Sequence, residues 1–317
     1  MKKYFWRLQL CLLFILAIYA SVAQAEPLRL FVIGNSFSRN ATQYLPELAK
    51  EGGHELIIGR AELGGCNLKE HWERAAAEIA NPNDPYGSPY SGTDKSMARL
   101  KTGGKSLRQL LATDKWDVIT MQQASIYSGA LDSYRPYARN LYDFVHKLQP
   151  QAKIVFHETW PYRSDSRDFT RIDGEVRATD QQSMWEHLHQ AYYTEAADLG
   201  IAVIPNGDAF WKVDSDPKWG YKKDATFDVS KAVEPALPDQ THSLNGGYWW
   251  SKGKLRFDSH HANAAGRYLG ALVWYGFLFN ESPEKLTFVP EGVPADFAAQ
   301  LRKVAWQVVQ DNPRPLK

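Results

Sequence analysis

Five short apolar runs rich in β-branched residues, each separated from the next by a segment long enough for a helix, set the first constraint on this chain. The runs are Leu28 to Ile33, Leu56 to Gly59, Val118 to Met121, Ile154 to His157 and Ile201 to Ile204. Each has the length of a strand and little polar alternation, the pattern of strands covered on both faces. Apolar residues at helical spacing predict helices at about 41–51, 67–79, 105–112, 136–148 and 181–198, followed by two more at 262–279 and 294–310. Strand and helix in alternation predict an α/β fold with a doubly wound parallel sheet of about five strands. Such sheets carry their sites at the carboxyl ends of the strands.

The first 25 residues stand outside this pattern. Lys2, Lys3 and Arg7 precede an apolar run from Leu8 to Ala20, and Ala23-Gln24-Ala25 follows. This is the layout of a secretory signal peptide cleaved after Ala25. The run falls short of the roughly 18 apolar residues a spanning helix needs, so neither a membrane span nor a stable membrane anchor is expected. A periplasmic or cell-surface location in a Gram-negative bacterium suits such a chain. The leader carries three of the 37 basic residues and none of the 36 acidic ones, which leaves the mature chain at about −2. That balance argues against nucleic acid as a partner. Of the two cysteines, Cys11 departs with the leader and Cys66 has no partner for an internal disulfide. Residues 26–317 suffice for one large domain, interrupted by a Pro- and Gly-rich loop at 81–104 and an aromatic-rich insertion at 206–256. Oligomeric state is not legible.

Gly34-Asn35-Ser36-Phe37-Ser38 ends the first run. A serine there sits where the chain turns over the sheet edge and its neighbouring backbone N–H groups face outward. On its own that is the signature of a helix cap. Near the other end stands Asp258-Ser259-His260-His261-Ala262-Asn263-Ala264-Ala265-Gly266. Asp and His three apart on one loop allow the carboxylate to hold the imidazole, leaving the second ring nitrogen to take a proton from Ser36. Ser36, Asp258 and His261 are therefore the candidate catalytic residues.

The two blocks together resemble those of the SGNH/GDSL hydrolase superfamily, with Asn35 where the usual opening block has Asp. The chain is most similar to a poorly characterised branch in which the central blocks are Gly-Gly-Cys and Leu-Gln, here Gly64-Gly65-Cys66 and Met121-Gln122-Gln123. The resemblance implies a three-layer α/β/α sandwich, flavodoxin-like in its winding, and serine catalysis without metal or other cofactor. It also implies an oxyanion hole built from the Ser36 and Gly65 backbone N–H groups and a side-chain amide. The usual Gly-x-Asn-Asp is absent, and Gln122 is the candidate for the third donor, with Gln123 as its competitor.

Trp160, before Pro161 and after the fourth run, is expected near the same sheet edge, as a candidate wall of the cleft. Trp249 and Trp250, with Trp211, Trp219 and Tyr248, read either as faces for sugar rings or as a satellite core holding the insertion down. Gln123, Trp160, Trp249 and Trp250 are thus the candidate substrate-binding residues. Asp258, His260 and His261 also spell a metal cluster, but adjacent side chains diverge and no third His or Cys has ligand spacing, so no metal is expected. His71 and Trp72 read as packing and Cys66 as a small buried residue. The expected function is a secreted serine esterase, in first place a carbohydrate O-acetyl esterase acting on acylated polysaccharide. A lipid esterase, lysophospholipase or thioesterase shares the same triad, and a non-catalytic glycan-binding protein shares the same scaffold.

Overall fold

A computed structural model describes residues 26–91 and 104–312. The expected leader and residues 92–103 of the expected 81–104 loop lie outside the described residues. In chain order the elements are β1 (Leu28–Gly34), α1 (Ser36–Ala41), α2 (Leu45–Glu51), β2 (Leu56–Glu62), α3 (Leu68–Ala80), α4 (Leu107–Leu111), β3 (Val118–Met121), α5 (Tyr137–Leu148), β4 (Lys153–His157), β5 (Arg171–Asp173), β6 (Val176–Arg177), α6 (Gln181–Leu199), β7 (Ala202–Ile204), α7 (Asn206–Asp214), β8 (Asn245–Ser251), β9 (Lys254–Ala262), α8 (Ala264–Phe279) and α9 (Ala295–Asp311).

All five expected runs join one parallel sheet in the order β2-β1-β3-β4-β7. Successive residues of each strand feed opposite layers, as the two-residue period requires. Leu30 and Val32 of β1 pack with α2, α8 and α9, whereas Phe31 and Ile33 pack with α3, α4 and α5. The fold is the expected three-layer α/β/α sandwich. Because the chain reverses its direction of winding after β1 and β2, the switch point lies between β1 and β3, where open α/β sheets place their ligands.

Two expectations change. The helix expected over 41–51 starts only at Leu45, and residue 41 instead closes the separate helix α1, because Pro46 lacks an N–H and is accommodated only in the first turn of a new helix. The 206–256 segment is not a single loop. It begins with α7 and ends in the β8–β9 hairpin, so its irregular part is confined to about 215–244. Among the described residues, no helix is long and apolar enough to cross a membrane.

Candidate active site

Ser36 is the first residue of α1, directly beyond β1, and its turn is held from beneath. Asn35 caps the helix: its side-chain oxygen accepts the Phe37 N–H at 3.0 Å, and its amide donates to the Cys66 carbonyl at 3.0 Å. The second bond brings the Gly64-Gly65 turn beside Ser36, as does the register, which sets Gly34 opposite Glu62. Gly34 does not adopt a positive φ. Its role is clearance, because a Cβ there would lie 2.2 Å from Ser38 Oγ and 2.8 Å from Gln122 Oε1. His71 is buried below the same turn, where its Nε2–H donates to the Gly34 carbonyl at 3.2 Å and its Nδ1 accepts from the Tyr90 hydroxyl at 2.8 Å. It is a packing residue, as expected, and a support of the serine turn as well.

At the other end of the chain, Asp258 and His261 lie within β9 rather than on a free loop. In a regular strand, residues three apart point to opposite faces. Here the pairing of β8 and β9 slips, with Asn245 opposite Ala262 and Gly247 opposite Asp258. Two residues of β8 thus span four of β9, and the bulge turns both side chains to one side. His261 Nδ1–H donates to Asp258 Oδ2 at 2.8 Å, and His261 Nε2 lies 2.9 Å from Ser36 Oγ. Asp258 Oδ1 accepts the backbone N–H groups of His260 at 3.0 Å and His261 at 2.9 Å. Burial disfavours its charge, but these hydrogen bonds outweigh burial and hold the carboxyl well below the usual carboxylate range.

His260 Nδ1 lies 3.1 Å from the same carboxylate. Burial, and then the neighbouring His261, push its ring down, against the pull of Asp258. The two adjacent rings therefore do not diverge as expected but converge on one carboxylate, which already accepts the His261 ring N–H.

The bulge is clamped by the segment after β4. Trp160 Nε1 donates to the His260 carbonyl at 2.8 Å and the Arg163 N–H to the Ser259 carbonyl at 2.8 Å. From the Ser36 side, Asn40 Oδ1 accepts the Ala262 N–H at 3.1 Å. Asn263 caps α8 through the Gly266 N–H and donates to the carbonyls of Ser243 and Asn245.

Several candidate residues take other places than expected. Gln122 is fully buried, with its two amide hydrogens donated to Asn35 Oδ1 at 3.0 Å and the Gln123 carbonyl at 2.7 Å. Its oxygen accepts the Ser38 N–H at 3.1 Å and the Ser38 hydroxyl. No donor is left for an oxyanion, and Gln122 is instead the floor of the serine turn. Gln123 is committed in the same way: it donates to the Ser133 carbonyl and hydroxyl and accepts from Leu68 and Ala124. The Ser36 and Gly65 backbone N–H groups, by contrast, donate to no group among the described residues. Gly65 holds φ of +68°, a conformation that favours glycine.

Trp160 does not line a cleft. It is fully buried between Phe37, at 4.4 Å between ring centroids, and Phe210, at 4.7 Å. Most of the aromatic insertion is satellite core. The Arg163 guanidinium, paired to Asp165, lies against Tyr221, Tyr248 and Phe257, while Trp219 packs on Phe297 and Trp250 donates to the Ala236 carbonyl. Trp249 is the exception, 44% exposed. It pairs with Arg256 two positions along from the Gly247–Asp258 pair, so Trp249 and Arg256 share the face of Asp258. Arg256 is a residue the sequence reading passed over; its place opposite Trp249 was visible only once the hairpin register was known. Cys66 is buried, which pushes its thiol up to about 12 and away from nucleophilic use.

A DUF4886 family protein from Bacteroides uniformis, solved by crystallography, superposes with a TM-score of 0.66 at 23% identity, over 90% of this chain and 95% of that one. It shares the α/β fold. More distant are a candidate GDSL-like lipase from Parabacteroides merdae and phospholipase A1 from Streptomyces albidoflavus, with TM-scores of 0.41 and 0.37. Each is 12% identical, and they cover 79% and 78% of this chain and 96% of their own. No curated protein matches the chain. The family described as a domain of unknown function, DUF4886, matches residues 29–216, and the chain belongs to that family.

Proposed function

We propose that this chain is an exported serine hydrolase of the SGNH/GDSL kind that removes acyl groups from carbohydrate by way of Ser36, His261 and Asp258. The observation that carries the reading is the unbroken relay from Ser36 Oγ to His261 Nε2 at 2.9 Å and from His261 Nδ1 to Asp258 Oδ2 at 2.8 Å. Three residue types in this order, with a free lone pair facing the hydroxyl, have one well-understood use.

In that chemistry His261 takes the Ser36 proton as Oγ attacks an ester carbonyl, and the carbonyl oxygen gathers negative charge. The backbone N–H groups of Ser36 and Gly65 are the donors left uncommitted for it. Collapse of the tetrahedral species expels the alcohol, which receives its proton from His261, and leaves Ser36 acylated. Water, deprotonated by the same ring, attacks the acyl-enzyme and releases the acid. Asp258 stays ionised and fixes the tautomer throughout.

For the substrate, the support is Trp249, an exposed indole on the Asp258 face about 7 Å along the strand. An indole there offers a flat apolar surface to a sugar ring, and Arg256 beside it offers donors to hydroxyl or carboxylate groups. Incubation with a panel of acetylated polysaccharides, reading released acetate, tests the reading. Release by the native chain and none by Ser36→Ala is expected. Hydrolysis confined to long-chain acyl esters would transfer the activity to lipids.

A further inference from the structure

A second cluster stands at the carboxyl edge of the sheet, away from Ser36. Glu158 follows β4, Asp208 lies in the first turn of α7, and His189 projects from the middle of α6. β3 lies between β4 and β1, so two spacings of about 4.8 Å separate Glu158 from the serine turn by roughly 10 Å. The triad does not use them.

Their donor atoms converge. His189 Nδ1 lies 2.8 Å from Asp208 Oδ1 and 3.8 Å from Glu158 Oε1, and all three atoms fall within 4.8 Å of one another. Glu158 is fully buried, yet only one of its oxygens is satisfied: Oε2 accepts the Asp208 N–H at 3.0 Å, whereas Oε1 has no hydrogen-bond partner. A fully buried carboxyl oxygen without a hydrogen-bond partner is rare in folded proteins. Among the described residues, neither carboxylate is paired with Lys or Arg; His189 is the one cation-forming partner of both.

The surroundings fix this arrangement. A Cβ on Gly207 would come within 2.4 Å of the Thr159 carbonyl and 2.9 Å of Glu158 Oε2, so only glycine lets α7 approach the carboxylate. Asp208 is oriented by Trp185 Nε1 at 2.9 Å and by the Tyr193 hydroxyl at 2.9 Å. Such outer partners are what orient metal-binding carboxylates. His189 and Asp208 also line a surface cavity of about 400 Å³, walled by Trp185 and Trp211, through which a small ion can enter.

We propose that Glu158, His189 and Asp208 form a binding site for a divalent transition-metal ion, with zinc as the best match. One imidazole nitrogen and two carboxylate oxygens are a mixed donor set that suits zinc better than magnesium or calcium, which favour oxygen alone. Tetrahedral zinc with bonds near 2.0–2.1 Å sets its ligand atoms about 3.3 Å apart, and the observed 2.8 and 3.8 Å separations straddle that value. The ion displaces the Nδ1 proton of His189, which leaves to solvent, and supplies the missing partner of Glu158 Oε1. The fourth position faces the cavity.

Isothermal titration of the chelator-treated full chain with zinc, manganese and magnesium chlorides is the test. One equivalent of zinc is expected to bind, with magnesium at least tenfold weaker. Glu158→Gln and His189→Ala should each weaken zinc at least tenfold, with Asp258→Asn unchanged and circular dichroism confirming that every variant is folded. Absence of stoichiometric zinc binding overturns the proposal. So does binding that survives Glu158→Gln but is lost in Asp258→Asn, which would place the ion on the triad instead.

Discussion

Asp258 is the residue on which the catalytic reading can be tried most simply, because its carboxylate accepts both the backbone N–H and the ring N–H of His261. Replacing it by asparagine keeps the shape but presents the wrong tautomer to Ser36, and kcat on an aryl acetate should fall about 10⁴-fold. The same substitution has a signature in stability. The folded Asp258 carboxyl titrates below its ordinary value, so its stabilising contribution is complete above that value, near pH 4, and drains away as the pH falls toward the folded-state value. Urea titrations should therefore show a shallower loss of stability below pH 4 in Asp258→Asn than in the native chain. Gln122 separates two roles by the opposite pattern. Losing an oxyanion donor lowers kcat and leaves stability alone, whereas losing the floor of the serine turn affects both. Gln122→Ala should cost about 2–3 kcal/mol in unfolding, because it strands buried partners on Asn35 and Ser38. At this scale the sequence was informative about chemistry and silent about partners. Ser, His and Asp point to one chemistry by type, and the fold brings them together, but a glutamine amide looks the same whether it faces an oxyanion or a neighbouring carbonyl, and only the packed turn decides.

At the scale of elements, strands buried on both faces and long amphipathic helices were legible, since periodicity records burial directly. The bulge in β9 was not. Asp-Ser-His-His has no strand propensity, and its geometry comes from pairing with β8 and from the clamps of Trp160 and Arg163. Trp160 was misplaced for a related reason: a tryptophan after a strand end suits a cleft and a core equally, until its indole N–H finds the carbonyl of a residue 100 positions away. Trp160→Phe removes that donor and leaves the His260 carbonyl with only the longer 3.4 Å bond from Asn245. Loosening of the His261 backbone should lower kcat several-fold while KM changes little, as steady-state kinetics on the aryl acetate will read. Trp249→Ala makes the reverse division. On an acetylated polysaccharide KM should rise several-fold, within the roughly 0.5–1.5 kcal/mol of an aromatic contact, and hydrolysis of the small aryl ester should stay as it is.

The whole molecule is two apolar layers on one sheet, and polar groups are buried where the layers meet the carboxyl edge. Among these are His71 and His157, both fully buried. Burial pushes the first down to about 4 and the second down to about 3. His157 Nε2 accepts from the Asn206 amide at 3.1 Å, an acceptor role that a protonated ring cannot fill. In the unfolded chain each ring binds a proton near pH 6.5, so the folded state is favoured in full above that value and loses ground as the pH falls toward 4 and 3. Each histidine contributes a slope of up to about 1.4 kcal/mol per pH unit across its window. Urea midpoints should accordingly drop steadily from pH 6.5 to pH 4, and more gently in His71→Gln.

The central claim is that Ser36 is an activated nucleophile, raised from an ordinary serine in the first turn of a helix by residues 222 to 225 positions away. Labelling with a fluorophosphonate reads that property without any assumption about the substrate. Peptide mapping by mass spectrometry should find the adduct on Ser36 of the native chain, and labelling should be lost in Ser36→Ala and slowed by orders of magnitude in His261→Ala. A native chain that resists the reagent, or one labelled equally well without His261, would contradict the account.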